Sequence, residues 1–175
     1  MSEVSEKVKA VIRDVPDFPK PGILFKDITP ILQDAALMCA ITDHLAARYK
    51  GERIDAVVGM ESRGFIFGVP LAMALGCAFV PARKPGKLPY HRVSESYALE
   101  YGTATLDMHV DAFAAGSRVL IIDDLLATGG TAAATARLVG RLGGEVIGFA
   151  FIVELDFLGG RAILGGAPVE AVVHY

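Results

Sequence analysis

The sequence predicts an α/β protein built on a mostly parallel sheet with helices on both faces. Three observations carry this. The chain is 53% hydrophobic yet carries 19 glycines, a profile that suits buried strands joined by tight connections. Its central and C-terminal parts alternate short, continuously apolar runs with helical patterns. The apolar runs lack the in-out alternation of a half-exposed sheet, so both faces of the sheet are covered. At 175 residues the chain fits one domain, 1–175, large enough to bury a core without disulfide staples.

Taken in order, Ser2 to Ile12 is predicted as a helix, with Val4, Val8 and Val11 or Ile12 on one face. Pro16, Pro19 and Pro21 exclude a helix from the next stretch, Val15–Gly22, which is expected to turn. Ile23–Ile28 is expected to be extended. Asp34 is placed to cap a helix over Ala35–Tyr49, with Gly51 ending it. The alternation then begins: strand Ile54–Gly59, helix Phe65–Leu75, strand Ala78–Pro81, strand Arg118–Asp123, helix Thr131–Leu142, strands Val146–Val153 and Val169–Val173. Right-handed crossovers would place the C-terminal ends of the strands on one rim, where open α/β sheets bind ligands. One segment breaks the rhythm. Tyr97–Tyr101 and Ala104–Met108 alternate with period two around Gly102, the pattern of a hairpin or bent ribbon. The basic, Pro- and Gly-rich Arg83–Arg92 before it reads as a flap over the rim.

Several function classes recede on composition. A net charge of −3 offers no basic field for nucleic acid or an anionic membrane. Phe65–Ala82 is uncharged over about the ~18 residues a membrane span needs, but Gly68, Pro70, Gly76 and Pro81 divide it into a helix and a strand. The acidic N-terminus lacks the apolar core of a signal peptide. Cys39 and Cys77 lie far apart, with neither a CxxC nor a His pair, and read as buried, reduced thiols in a cytoplasmic protein.

The chemistry concentrates in Val119–Thr131, VLIIDDLLATGGT. A buried strand runs into two adjacent carboxylates. Neighbouring side chains on a strand point to opposite faces, so both acids cannot enter the core, and the strand is expected to end there. A Thr-Gly-Gly-Thr turn then starts a helix. Glycines admit close backbone approach, and first-turn amides, the helix dipole and two hydroxyls favour a phosphate. The acids suit hydroxyl donors instead. A diol beside a phosphate describes a ribose 5-phosphate. A strand, an acidic turn or a Thr cap alone would be ordinary; their order within these residues is not. Neither GxxxxGK[ST] nor a strand-linked GxGxxG is present.

This run resembles the loop that binds 5-phosphoribosyl-1-pyrophosphate (PRPP) in the type I phosphoribosyltransferases. The resemblance extends through Pro16–Ile28, Glu61–Phe65, Arg83–Pro89 and Ser96–Gly102, and the first and last of these are similar to the adenine-specific members in particular. It implies the type I fold, with a small N-terminal hood over 1–33, which recognises the base, and a flexible flap at about 84–98. It implies transfer of phosphoribose from PRPP to adenine, giving AMP and pyrophosphate. Asp123 and Asp124 would take the ribose hydroxyls, and Ala127, Thr128, Gly129, Gly130 and Thr131 the 5′-phosphate. Glu61-Ser62-Arg63 would form the pyrophosphate loop, often with a non-proline cis peptide, and Arg63, Arg83, Lys84 and Lys87 would face pyrophosphate.

For the base, Phe25 would stack on the purine, the backbone of Leu24 and Lys26 would read its edge, and Leu155 would close the other face. Glu100 would sit near purine N7 and manage the proton, making Glu100, Arg63, Lys84, Asp123 and Asp124 the catalytic candidates. Mg²⁺ would be held mainly through PRPP and water rather than by protein ligands. The expected partners are PRPP, adenine and a second copy of the chain, through helix 35–49 or the 65–75 region. A hypoxanthine or guanine enzyme, or a non-enzymatic PRPP-sensing regulator, stays open as an alternative. The first would need a donor toward a 6-oxo group, where Glu154-Leu155-Asp156 stands.

Overall fold

The computed structural model describes residues 2–98 and 102–175. Helix α1 (Glu3–Val11) starts at Ser2, whose hydroxyl accepts the Ser5 amide, and Glu3 and Glu6 suit its positive end. Strands β1 (Arg13–Pro16) and β2 (Leu24–Asp27) pair antiparallel, with Val15 opposite Phe25. The chain thus stays extended through Val15 and Pro16, where the sequence predicts a turn; a proline is tolerated because β1 belongs to a two-stranded ribbon and can end on it. A one-turn helix, α2 (Thr29–Leu32), with Pro30 in its first turn, carries no period long enough to announce itself. Helix α3 (Ala35–Arg48) begins as predicted, the Asp34 carboxylate accepting the Leu37 amide at 3.0 Å.

The remaining elements are β3 (Ala56–Met60), α4 (Arg63–Leu75), β4 (Ala78–Ala82), β5 (Arg92–Ala98), β6 (Thr103–His109), β7 (Arg118–Leu126), α5 (Gly130–Arg141), β8 (Glu145–Glu154) and β9 (Val169–His174). Five of these strands form a parallel sheet in the order β4-β3-β7-β8-β9. Strand residues alternate between two cores. Val57, Leu120 and Ile122 pack with α1, α3 and α4 through Val8, Ile41, Phe67 and Leu71. Ala56, Val58, Val119 and Ile121 pack with α5 and β6 through Leu138, Val139, Leu106 and Met108. Helices α4 and α5 therefore leave adjacent strands β3 and β7 toward opposite faces. The crevice at the ends of those two strands is the topological switch point, where such sheets hold ligands.

One expectation about the sheet changes. Strand β7 does not stop at the acid pair but runs on to Leu126, laddered to β8 through Leu125–Val153 and Leu126–Glu154. Adjacent acids fit inside a strand because each has a polar partner at the rim, as described below. The segment expected as a flap, about 84–98, consists of the connection 84–91 and of β5, residues 92–98, which pairs along its length with β6.

Candidate active site

Two loops meet at the switch point. The first follows β3. Gly64 allows the start of α4 to press on β7: a Cβ there would stand 2.8 Å from the Ile122 carbonyl oxygen and 2.9 Å from Asp123 Oδ1. This close approach brings Arg63 to Asp124, with Nε 2.8 Å from Oδ2. The Glu61-Ser62 peptide is cis. Glu61 Oε2 accepts the Lys84 amide at 3.0 Å and Arg83 Nε at 3.2 Å, tying this loop to the end of β4. Burial acts to raise the Glu61 carboxyl, but the Lys84 amide and the Arg83 guanidinium more than offset it and hold it below its ordinary value. Arg83 also donates to the Lys87 carbonyl at 3.1 Å.

The second loop follows β7. Asp123, Ala127, Thr128, Gly129, Gly130 and Thr131 line a cavity of about 80 Å³ that Met60 and Phe151 floor. Gly129 has φ +81, which a side chain resists, and is the N-cap of α5. The amides of that helix's first turn therefore face the cavity side without a side-chain cap. A second strand end supports the loop from behind. The Leu155 amide donates to the Leu126 carbonyl at 2.9 Å, and the 3₁₀ turn that follows brings Gly160 against Ala127 and Gly129.

The acid pair is electrostatically strained. Burial, then the neighbouring Asp124 charge, pushes the Asp123 carboxyl well above the ordinary carboxylate range. Burial also raises Asp124, against the pull of Arg63. A carboxyl whose pKa is higher folded than unfolded binds more protons in the fold. It favours the fold below its unfolded value, and that contribution is lost as pH rises through the folded value. We therefore expect Asp123→Asn to melt above the parent protein at pH 7, with the gap closing as pH falls toward about 4. Thermal melts across that range check it. The Asp124 amide donates to Asp123 Oδ1 at 2.9 Å, a bond that asparagine can keep.

On the hood side, Phe25 packs edge-on to Phe18 with centroids 5.1 Å apart, and the Arg63 guanidinium lies 5.7 Å from the Phe25 ring. Arg63 thus links the hood to Asp124. Leu24 is half exposed. The Lys26 side chain is directed elsewhere, with Nζ 2.6 Å from Asp14 Oδ1 and 3.9 Å from the centre of the Tyr175 ring. Leu155 is partly buried against the core formed with α1, α3 and α4. Glu100 falls on residues 99–101, outside the described residues.

Three residues at this site escape a sequence reading. Gly160 is one of several Gly-Gly pairs and reads as a turn. Tyr97, read only as part of an alternating ribbon, places its hydroxyl 3.1 Å from Thr131 Oγ1. Buried Glu154, read only as a sign against a 6-oxopurine, is bound through both oxygens by Arg161, which also donates to the Val169 carbonyl at 2.9 Å. Glu154, Asp156 and His174 form the one group of three potential metal ligands among the described residues. It is already engaged: Arg161 holds Glu154, and His174 Nδ1 lies 2.9 Å from Asp156.

Comparison with known proteins bears on the same segments. Residues 29–157 match the phosphoribosyl transferase domain family. An adenine phosphoribosyltransferase of Sorangium cellulosum is 60% identical over 96% of this chain and 86% of its own. The crystal structure of adenine phosphoribosyltransferase from Thermoanaerobacter pseudethanolicus superposes with a TM-score of 0.94 at 50% identity, covering 98% of this chain and 99% of that one. The Saccharomyces cerevisiae enzyme, complexed with an imino-altritol bisphosphate and adenine, gives a TM-score of 0.93 at 42% identity over 99% of this chain and all of its own. With its fold, its switch-point loops and nearly all of its length matched in this way, the chain belongs to the phosphoribosyl transferase family, in the branch of the adenine phosphoribosyltransferases.

Proposed function

We propose that this chain transfers the 5-phosphoribosyl group of PRPP to adenine, releasing AMP and pyrophosphate, a reaction of purine salvage. The observation that carries the reading is the meeting, at one switch point, of the Asp123–Asp124 pair with the glycine-rich turn at the start of α5. Asp123 and Asp124 accept hydrogen bonds from the ribose hydroxyls. The amides and hydroxyls of Ala127–Thr131 hold the 5′-phosphate. Arg63, Arg83, Lys84 and Lys87 collect around the pyrophosphate, with Glu61 tying Arg83 and Lys84 to the loop that bears Arg63.

In the reaction, adenine N9 bonds to the ribose C1′ while the bond from C1′ to the pyrophosphate oxygen breaks, and its electron pair leaves with pyrophosphate. Positive charge develops on the sugar and negative charge on the leaving group, so cations around the latter stabilise the transition state more than the ground state. Holding the base against C1′ supplies much of the remaining acceleration. Phe25 stacks on the purine and Leu155 closes its other face. Leu24 and Lys26, two residues apart, present backbone groups to the same edge of β2, which suits them to read the purine. The diversion of the Lys26 side chain to Asp14 supports backbone reading. Bonding through N9 obliges the base to give up its ring N–H proton, and the Glu100 carboxylate, assigned to purine N7, takes it up.

Mg²⁺ would be held mainly through PRPP oxygens and water, the hard oxygens of Asp123 and Asp124 at the rim would suit such an ion, and when bound it would supply charge neutralisation for the pyrophosphate. Segment 84–91, between β4 and β5, serves as the flap that keeps water out.

We also assign the chain to homodimers and to the cytoplasm. On α4, Ile66, Val69 and Met73 are exposed at 39%, 41% and 77%, an apolar stripe on a soluble surface. Met73→Glu should shift the light-scattering mass from dimer to monomer. Cys39 is exposed and Cys77 only partly buried, against the expectation that both are buried, but both thiols are free, which suits a reducing compartment, and no helix of the described residues is long and apolar enough to cross a membrane.

Incubation with Mg²⁺, PRPP and adenine tests the central reading: AMP and pyrophosphate should appear in equal amounts, with hypoxanthine, guanine and orotate far poorer acceptors. No AMP, or equal use of hypoxanthine, would overturn it.

A further inference from the structure

We propose that Tyr97 is a positioning residue for the phosphate turn, its phenol holding the Thr131 hydroxyl so that Thr131 gives its own proton to the 5′-phosphate. The inference rests on the assignment of Ala127–Thr131 to that phosphate. Tyr97 stands on β5 and reaches across to the first turn of α5, with Oη 3.1 Å from Thr131 Oγ1. Its ring lies against Gly130, where an added Cβ would stand 3.4 Å from Tyr97 Cδ2.

The strand that carries Tyr97 is fastened to the same helix. Glu95 accepts Arg137 Nε at 2.5 Å and Arg141 Nη1 at 3.2 Å, and Arg141 also donates to the Ser94 carbonyl at 2.6 Å. The phenol is thus presented to Thr131 from a strand braced one helical turn and more along α5.

Each hydroxyl has one proton to donate and lone pairs to accept. A phenol is a stronger acid than an aliphatic alcohol, so Tyr97 is the better donor of the two. With Tyr97 donating, the Thr131 oxygen accepts and its proton stays free for a phosphate oxygen. A threonine in a helix otherwise divides between two χ1 rotamers, because its oxygen can bond back to a carbonyl three or four residues earlier. A fixed external donor removes that competition. Tyr97 touches no substrate in this account; it acts through Thr131.

Three variants test this: Tyr97→Phe, Thr131→Val and the double substitution. Tyr97→Phe keeps the ring against Gly130. It should raise the KM for PRPP about three- to tenfold, with the KM for adenine changed less than about twofold and the melting temperature nearly unmoved. The dissociation constant of ribose 5-phosphate, measured calorimetrically without adenine, should weaken by the same factor. Thr131→Val should raise the PRPP KM at least as much, and the double variant no further than Thr131→Val alone, because Tyr97 then has nothing to orient. A Tyr97→Phe protein with an unchanged PRPP KM, beside a Thr131→Val protein with a raised one, sinks the role of Tyr97 and spares the phosphate turn. Equal shifts of both KM values together with a lower melting temperature also sink it, because they mark general packing. Indifference of both single variants refutes the phosphate turn itself.

Discussion

We expect exchange of Asp123 and Asp124 together for asparagine to leave a folded protein whose kcat/KM for PRPP has fallen about 10²–10⁴-fold, because hydrogen bonds to charged groups contribute about 1.5–3 kcal/mol each. The size follows from what the carboxylates supply. Each accepts from a hydroxyl, and the negative charge of the pair also opposes the positive charge growing on the sugar in the transition state. Asparagine keeps one acceptor and adds a donor that the diol does not need. The fold has little to lose. Both carboxyls are raised by burial, so their ionisation weighs against the native state at neutral pH. Arg63 loses its partner but is nearly half exposed, so its charge is not stranded. Circular dichroism, a thermal melt and steady-state kinetics with PRPP as the varied substrate decide the matter. A folded variant that turns PRPP over at the parental rate removes the sugar from this site.

The reason this pair was legible in the sequence, while its partner was not, is distance along the chain. The strand, the two acids and the Thr-Gly-Gly-Thr turn are contiguous, so their chemistry can be read together from Val119 to Thr131. Arg63 opposite Asp124 follows only from the order β4-β3-β7, which the local patterns around β3 and β7 do not encode. The same patterns place α3, α4, α5 and the sheet strands to within a few residues, because long apolar periods dominate them. They fail at β1 and α2, where four-residue elements rich in proline show no period. The end of β7 was misjudged for a different reason. Alternation on a strand forbids two adjacent acids in one core, but not two acids at a rim where one meets an arginine and the other a backbone amide. Tyr97 shows the complementary limit: its place in an alternating ribbon fixes which face it takes, not that Thr131 waits there.

Gly160→Ala should be the most damaging single change outside the residues assigned to substrate. A Cβ at Gly160 would run into the Ala127 carbonyl oxygen and stand 2.9 Å from the Gly129 nitrogen, both backbone atoms that cannot rotate aside. Either the Gly160 turn or the Ala127–Gly129 segment must move. The turn is the less free of the two. Arg161 binds both oxygens of Glu154, which is 4% exposed, and donates as well to the Val169 carbonyl. Retreat of the turn would break an ion pair whose acid is buried, a costly event. The displacement therefore falls on the phosphate loop. Overpacking costs about 1–3 kcal/mol of stability, and misplacing a binding group by about 1 Å costs on the order of 10²-fold in rate. The PRPP KM should rise steeply while the adenine KM moves far less. Gly159→Ala is the matched control. Its φ of +63 makes a side chain unfavourable there, but no atom stands within 4 Å of the added Cβ. That variant should lose about 1–2 kcal/mol of stability and bind PRPP as the parent does. If the two alanine variants shift the PRPP KM equally, the effect belongs to backbone conformation in the turn rather than to its contact with the phosphate loop. A selective loss in Gly160→Ala ties phosphate binding to a brace built from the ends of β8 and β9, two strands that contribute no side chain to the phosphate itself.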